Sequence, residues 1–204
     1  MFFLLVLVLS PLAHSATVLV MGDSLSAGYG LRARDAWPAE LQRKLRADGG
    51  DHKVVNASIS GETTAGGLSR LPHALKTHRP DVVIIELGAN DGLRGLPLEA
   101  MQSNLVTMIA QSRAAGARVV LVGMRLPPNY GSAYANKFHE VFTSVATSEK
   151  TAFVPFLLAG FAERREWFQN DGLHPTREAQ GAMVDNIWPA LEPLLRRKAA
   201  VSAR

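Results

Sequence analysis

An alternation constrains this chain more than any other feature: five short runs rich in β-branched residues are separated by longer stretches whose apolar side chains recur at the helical period. The runs are Thr17 to Met21, Lys53 to Ala57, Asp81 to Leu87, Arg118 to Val122 and Thr151 to Phe156. Between them lie stripes such as Leu98, Met101, Leu105, Met108 and Ile109, or Tyr134, Phe138, Val141, Phe142 and Val145, which read as core faces of helices. Strands joined by helices cannot pair as hairpins. They require parallel pairing with crossovers, and so an α/β fold, a doubly wound three-layer α/β/α sandwich with both sheet faces covered. A last stripe, Ala179, Met183, Val184, Ile187 and Trp188, predicts a closing helix that Pro189 should kink or end.

The two ends read differently from this body. Phe2 to Leu9 is an uncharged apolar run, followed by Pro11 and the small-residue pattern Ala13-His14-Ser15-Ala16. Residues 1–15 therefore read as a secretory signal peptide, too short to span a bilayer and lacking the usual basic residue at its start, with residues 16–204 as one domain. At the other end Arg196, Arg197, Lys198 and Arg204 account for the whole formal charge of +4, so the body is neutral and a nucleic-acid partner is disfavoured. With no cysteine, a thiol nucleophile and structural disulfides are excluded.

Sheets of this kind bind ligands at the carboxyl ends of their strands, which directs attention to the loops there. The first strand runs into Gly22-Asp23-Ser24-Leu25-Ser26-Ala27-Gly28-Tyr29-Gly30, placing the Ser24 hydroxyl on a strand-to-helix turn with Asp23 as an ordinary helix cap. The second leads to Ser58-Ile59-Ser60-Gly61-Glu62-Thr63-Thr64, where Gly61 suits backbone that approaches a ligand and offers its N–H. Neither loop has the lysine of a phosphate-binding loop or the third glycine of a dinucleotide turn. The third strand ends in Glu86-Leu87-Gly88-Ala89-Asn90-Asp91-Gly92, where Asn90 could donate from its amide and Glu86 is a partly buried acid without an evident partner. Ahead of the last helix, Asp171-Gly172-Leu173-His174-Pro175-Thr176 lets one loop hold a histidine and the acid that would orient it. The other histidines show no metal-ligand spacing, and no metal site is expected. Each block alone is weak, since Asp, Asn, Ser and Gly also make plain turns.

Taken together, in this order, the blocks resemble the GDSL or SGNH hydrolase superfamily, whose four blocks supply Ser, Gly, Asn and His. Ser24, Gly61, Asn90 and His174 match all four, and Asp171 stands three residues before the histidine. The stretches Glu86 to Gly95 and Arg125-Leu126-Pro127-Pro128-Asn129-Tyr130-Gly131 are similar to the bacterial thioesterase I, lysophospholipase and arylesterase group. The resemblance implies a flavodoxin-like five-stranded parallel sheet of order 2-1-3-4-5, an order the residues alone do not give. It also implies a cofactor-independent serine esterase acting on aryl esters, acyl-CoA and lysophospholipids from the periplasm or outside the cell. In that reading Ser24, His174 and Asp171 are the catalytic triad, and Ser24, Gly61 and Asn90 form the oxyanion hole. Leu93, Leu96, Leu126, Pro127 and Tyr130 are candidates for the acyl pocket, though core or turn roles suit them equally. The expected partners are small acyl substrates, with transient contact with membrane lipids and a monomeric state as further expectations. Two alternatives stay open: a carbohydrate or peptidoglycan O-acetylesterase using the same blocks, and a flavodoxin-like binding protein.

Overall fold

A computed structural model describes residues 15–196. All of the expected signal segment but Ser15, and most of the basic tail, lie outside them.

The β-branched runs form strands β1 (Thr17–Gly22), β2 (Lys53–Asn56), β3 (Val82–Glu86), β4 (Arg118–Val122) and β5 (Ala152–Val154). All pair in parallel in the order β2-β1-β3-β4-β5. β3 is buried along its whole length and β1 from its second residue on, as strands covered on both faces must be. β5 is shorter than the expected run to Phe156. Pro155 has no N–H for the ladder, and the chain leaves the sheet there.

The helices are α1 (Ser24–Ala27), α2 (Trp37–Ala47), α3 (Thr64–His78), α4 (Ala89–Leu93), α5 (Leu98–Ala114), α6 (Ser132–Ser148) and α7 (Gln180–Leu195). α2 packs on α7, while α3 packs on α5 and α5 on α6, so the long helices fall into two groups about the sheet. The expected break at Pro189 does not occur: α7 continues through Pro189 and Pro193. Both prolines face solvent, so water can take the carbonyls their missing N–H groups release, while Met183, Val184, Ile187, Leu191 and Leu195 hold the helix to the core. Pro72 in α3 is tolerated on an exposed face in the same way.

This strand order sets the site. From β1 the chain moves out to β2, then returns past β1 to begin β3, so the loops after β1 and β3 diverge to opposite sides and leave a crevice between them. Ser24 follows β1 and Asn90 follows β3.

Candidate active site

Why a Gly-Asp-Ser turn stands here is clear from what surrounds it. A Cβ on Gly22 would lie 2.6 Å from the Ser26 hydroxyl and 2.8 Å from Glu86 Oε2, so only glycine lets β1 end against these two side chains. Asp23 caps α1 by accepting the Leu25 N–H at 3.0 Å, and Ser24 is the first residue of that helix. As a first helical residue it keeps its own N–H out of the intrahelical ladder.

Opposite it stands the histidine loop. His174 Nε2 lies 2.9 Å from Ser24 Oγ, and His174 Nδ1 lies 2.7 Å from Asp171 Oδ2. Asp171 Oδ1 accepts the N–H groups of Leu173 and His174 at 2.9 and 3.0 Å, which fixes the oxygen that turns to the imidazole. Partial burial raises the Asp171 carboxyl, but these hydrogen bonds and the histidine outweigh it and hold the group at about 2. The loop is pinned from both sides. Gln169 Nε2 donates to the carbonyls of Tyr29 and Pro175, and the Arg165 guanidinium donates to those of Phe168, Gln169 and Asn170. The Tyr29 ring sits 4.4 Å from the His174 ring.

The second and third loops complete the wall. Gly61 has φ +79°, a left-handed conformation that disfavours other residues, and its carbonyl accepts from Arg94 Nη2 at 2.8 Å. Buried Asp91 ties the two loops together, with one oxygen accepting the Thr64 N–H at 2.9 Å and the other the Thr64 hydroxyl at 2.5 Å. Ser24, Gly61, Asn90 and His174 all line one cleft of about 860 Å³, walled by apolar residues including Leu93, Met124, Leu126, Pro127, Phe156 and Leu158. Of the acyl-pocket candidates, Leu93, Leu126 and Pro127 are among the lining residues, and Leu96 and Tyr130 are not. Leu96 is exposed, and the Tyr130 hydroxyl donates to the Leu93 carbonyl at 3.1 Å.

Two acids have more extensive roles than the sequence suggested. Besides capping α1, Asp23 accepts a hydrogen bond from Asn90 Nδ2 at 3.1 Å, which occupies one amide proton and leaves the other free. Glu86 is fully buried, and the partner missing from the sequence reading is Ser26, whose hydroxyl donates to Oε2 at 2.6 Å and itself accepts from Trp37 Nε1 at 3.2 Å. Oε1 of Glu86 has no partner among the described residues. Burial, reinforced by the Asp23 charge, pushes Glu86 well above the usual range. Burial also pushes Asp23 up to about 6, against the lowering influence of Leu25 N–H, His174 and Asn90.

These shifts set the pH dependence of stability. A carboxyl raised in the fold binds its proton more tightly there than in the unfolded chain, so stability falls as pH rises through the interval between the two values. For Asp23 that interval runs from 3.8 to about 6, a difference worth about 3 kcal/mol. Asp171 acts oppositely, its stabilisation present above 3.8 and lost as pH falls towards about 2. The midpoint of thermal unfolding is therefore expected to be higher near pH ~5 than near pH ~7.5, and Asp23→Asn should shrink that difference. An unchanged difference would clear Asp23 of the effect.

Comparison with known proteins agrees with this architecture. Residues 20–182 match the model of the GDSL-like Lipase/Acylhydrolase family. The chain is 49% identical to Esterase TesA of Pseudomonas aeruginosa, over 94% of its own length and 96% of the relative's. It is 41% identical to Thioesterase 1/protease 1/lysophospholipase L1 of Escherichia coli, over 95% and 92%. The crystal structure of the psychrotrophic esterase EstA from Pseudoalteromonas sp., inhibited by monoethylphosphonate, superposes with a TM-score of 0.84 at 40% identity, covering 90% of this chain and all of that one. With the family model spanning most of its length, the chain belongs to the GDSL-like lipase/acylhydrolase family and is a serine esterase.

Proposed function

We propose that the enzyme hydrolyses medium to long acyl esters and thioesters through an acyl-enzyme on Ser24. The observation that carries this reading is the unbroken line from Ser24 Oγ through the His174 ring to the Asp171 carboxylate, opening on an apolar cleft. Ser24 Oγ attacks the acyl carbonyl carbon as its proton passes to His174 Nε2, giving a tetrahedral intermediate and an imidazolium stabilised by Asp171. The N–H groups of Ser24 and Gly61 and the free amide proton of Asn90 take the oxyanion. On collapse, the alcohol or thiol leaves with the proton from Nε2. Water then attacks the acyl-enzyme, yielding its proton to Nε2, and the acid departs as Ser24 recovers its own. No step requires a cofactor.

Asp23 acts through Asn90, holding one amide proton so that the other aims at the oxyanion. Asn90→Ala should lower kcat by about 10²- to 10³-fold with KM little changed, the cost of one oxyanion donor. Steady-state kinetics on an aryl ester read this directly, and full activity would remove Asn90 from the mechanism.

Relatives named for thioesterase, lysophospholipase and esterase activity support acyl-CoA and lysophospholipid as substrates, and the apolar wall suits an acyl chain longer than acetyl. The apolar start and small-residue pattern support export to the periplasm or beyond. A monomer in transient contact with membrane lipids completes the reading. A panel of p-nitrophenyl acetate, longer acyl esters and acyl-CoA tests it. Rates that rise with acyl length are expected, whereas strict preference for acetyl would favour an O-acetylesterase.

A further inference from the structure

Among the described residues the large apolar side chains that stand exposed are Tyr29 (53%), Ile59 (47%), Leu96 (39%) and Leu173 (45%). Singly, such residues are ordinary. Their placement is not, because they come from four separate segments, each of which also carries residues that line the same cleft: Tyr29 and Leu173 themselves, Ser60 beside Ile59, and Leu93 three residues before Leu96. Tyr29 and Leu173 line its mouth, one against His174 and the other beside it in the chain. Ile59 is held by its N–H to the Gly22 carbonyl at 3.0 Å, two residues before Gly61. Leu96 is held by its N–H to the Asp91 carbonyl at 2.9 Å, two residues beyond Arg94, whose guanidinium reaches the Gly61 carbonyl.

We infer that this rim is a docking surface for a phospholipid bilayer, with the four apolar tips entering the interface and Arg94 facing lipid phosphate. The inference rests on the esterase reading of the cleft and assigns the surface through which the lipid contact proposed there is made. Exposed apolar side chains gathered on one face mark an interaction site, and apolar tips beside a cation are the means by which a peripheral protein holds a lipid surface. The guanidinium of Arg94 makes one hydrogen bond among the described residues and keeps its other donors for an anion. A protein seated on this rim would close the cleft, whereas a lipid surface covers the tips and also presents acyl chains to the opening.

The test uses the full mature chain carrying Ser24→Ala, so that binding is read without turnover, in co-sedimentation with vesicles of phosphatidylcholine and phosphatidylglycerol. Adding Ile59→Ser and Leu96→Ser, both outside the cleft lining, should lower partitioning by about tenfold, while in the active enzyme kcat/KM for a soluble short ester stays within about twofold. Arg94→Gln should weaken binding to vesicles containing phosphatidylglycerol more than binding to phosphatidylcholine alone, whose phosphate is offset by its choline charge. Vesicle binding equal in parent and double variant, or absent from both, overturns the inference. So does a dimer in sedimentation velocity that the double variant disperses, which would assign the rim to a second copy. Failure of the esterase reading would show separately, as no hydrolysis of the short ester by the unmutated enzyme.

Discussion

Ser24→Ala is expected to lower kcat for an aryl ester by about 10⁶-fold, the scale on which the nucleophile of a serine–histidine pair is lost. The size follows from the division of labour. Without the hydroxyl no acyl-enzyme forms, and only the oxyanion donors and the cleft remain to help water attack directly. The fold should be unaffected, which makes the loss interpretable. Ser24 Oγ bonds His174 Nε2, Asp23 rather than Ser24 caps α1, and alanine is a favourable helical residue. Thermal unfolding within about 0.5 kcal/mol of the parent should accompany the kinetics. A decrease of less than tenfold would mean that another group carries the acyl chain.

Asp171→Asn should cost about 10⁴-fold, although it changes the side chain by little more than a proton. The two N–H groups of Leu173 and His174 already hold one oxygen of Asp171, and an asparagine would leave its carbonyl there and turn its NH2 to His174 Nδ1. Nδ1 must then accept, the ring proton moves to Nε2, and Nε2 donates to Ser24 where it needs to receive. With Asp171 held at about 2, the native enzyme keeps this carboxylate ionised at any pH where the histidine is a base. Loss in kcat should therefore greatly exceed any change in KM. An Asp171→Asn enzyme within tenfold of the parent would show that His174 takes its orientation from elsewhere.

Candidate residues placed by their sequence neighbours can be named from the sequence, and side-chain partners far apart in the chain cannot. Asp171 and His174 share one loop, and Ser24, Gly61 and Asn90 each sit just beyond a β-branched run whose end a reader can find. By contrast the Asp23 contact with Asn90 spans 67 positions and the Glu86 contact with Ser26 spans 60, so nothing local marks either acid as more than a cap or an unpaired charge. Pro189 misled for a related reason. Whether a proline ends a helix depends on what its freed carbonyl meets, and in α7 that is solvent. Leu93 and Leu96 look alike in a string of letters, yet the first lines the cleft and the second stands exposed outside its lining.

The central claim is that the Ser24 oxygen becomes covalently bonded during turnover. Intact-protein and peptide mass spectrometry after treatment with a fluorophosphonate tests it most directly. The account predicts a single phosphonyl adduct on the peptide carrying Ser24, formed in step with loss of esterase activity and absent from Ser24→Ala. An adduct on a different residue, or complete inactivation with Ser24 unmodified, would contradict it.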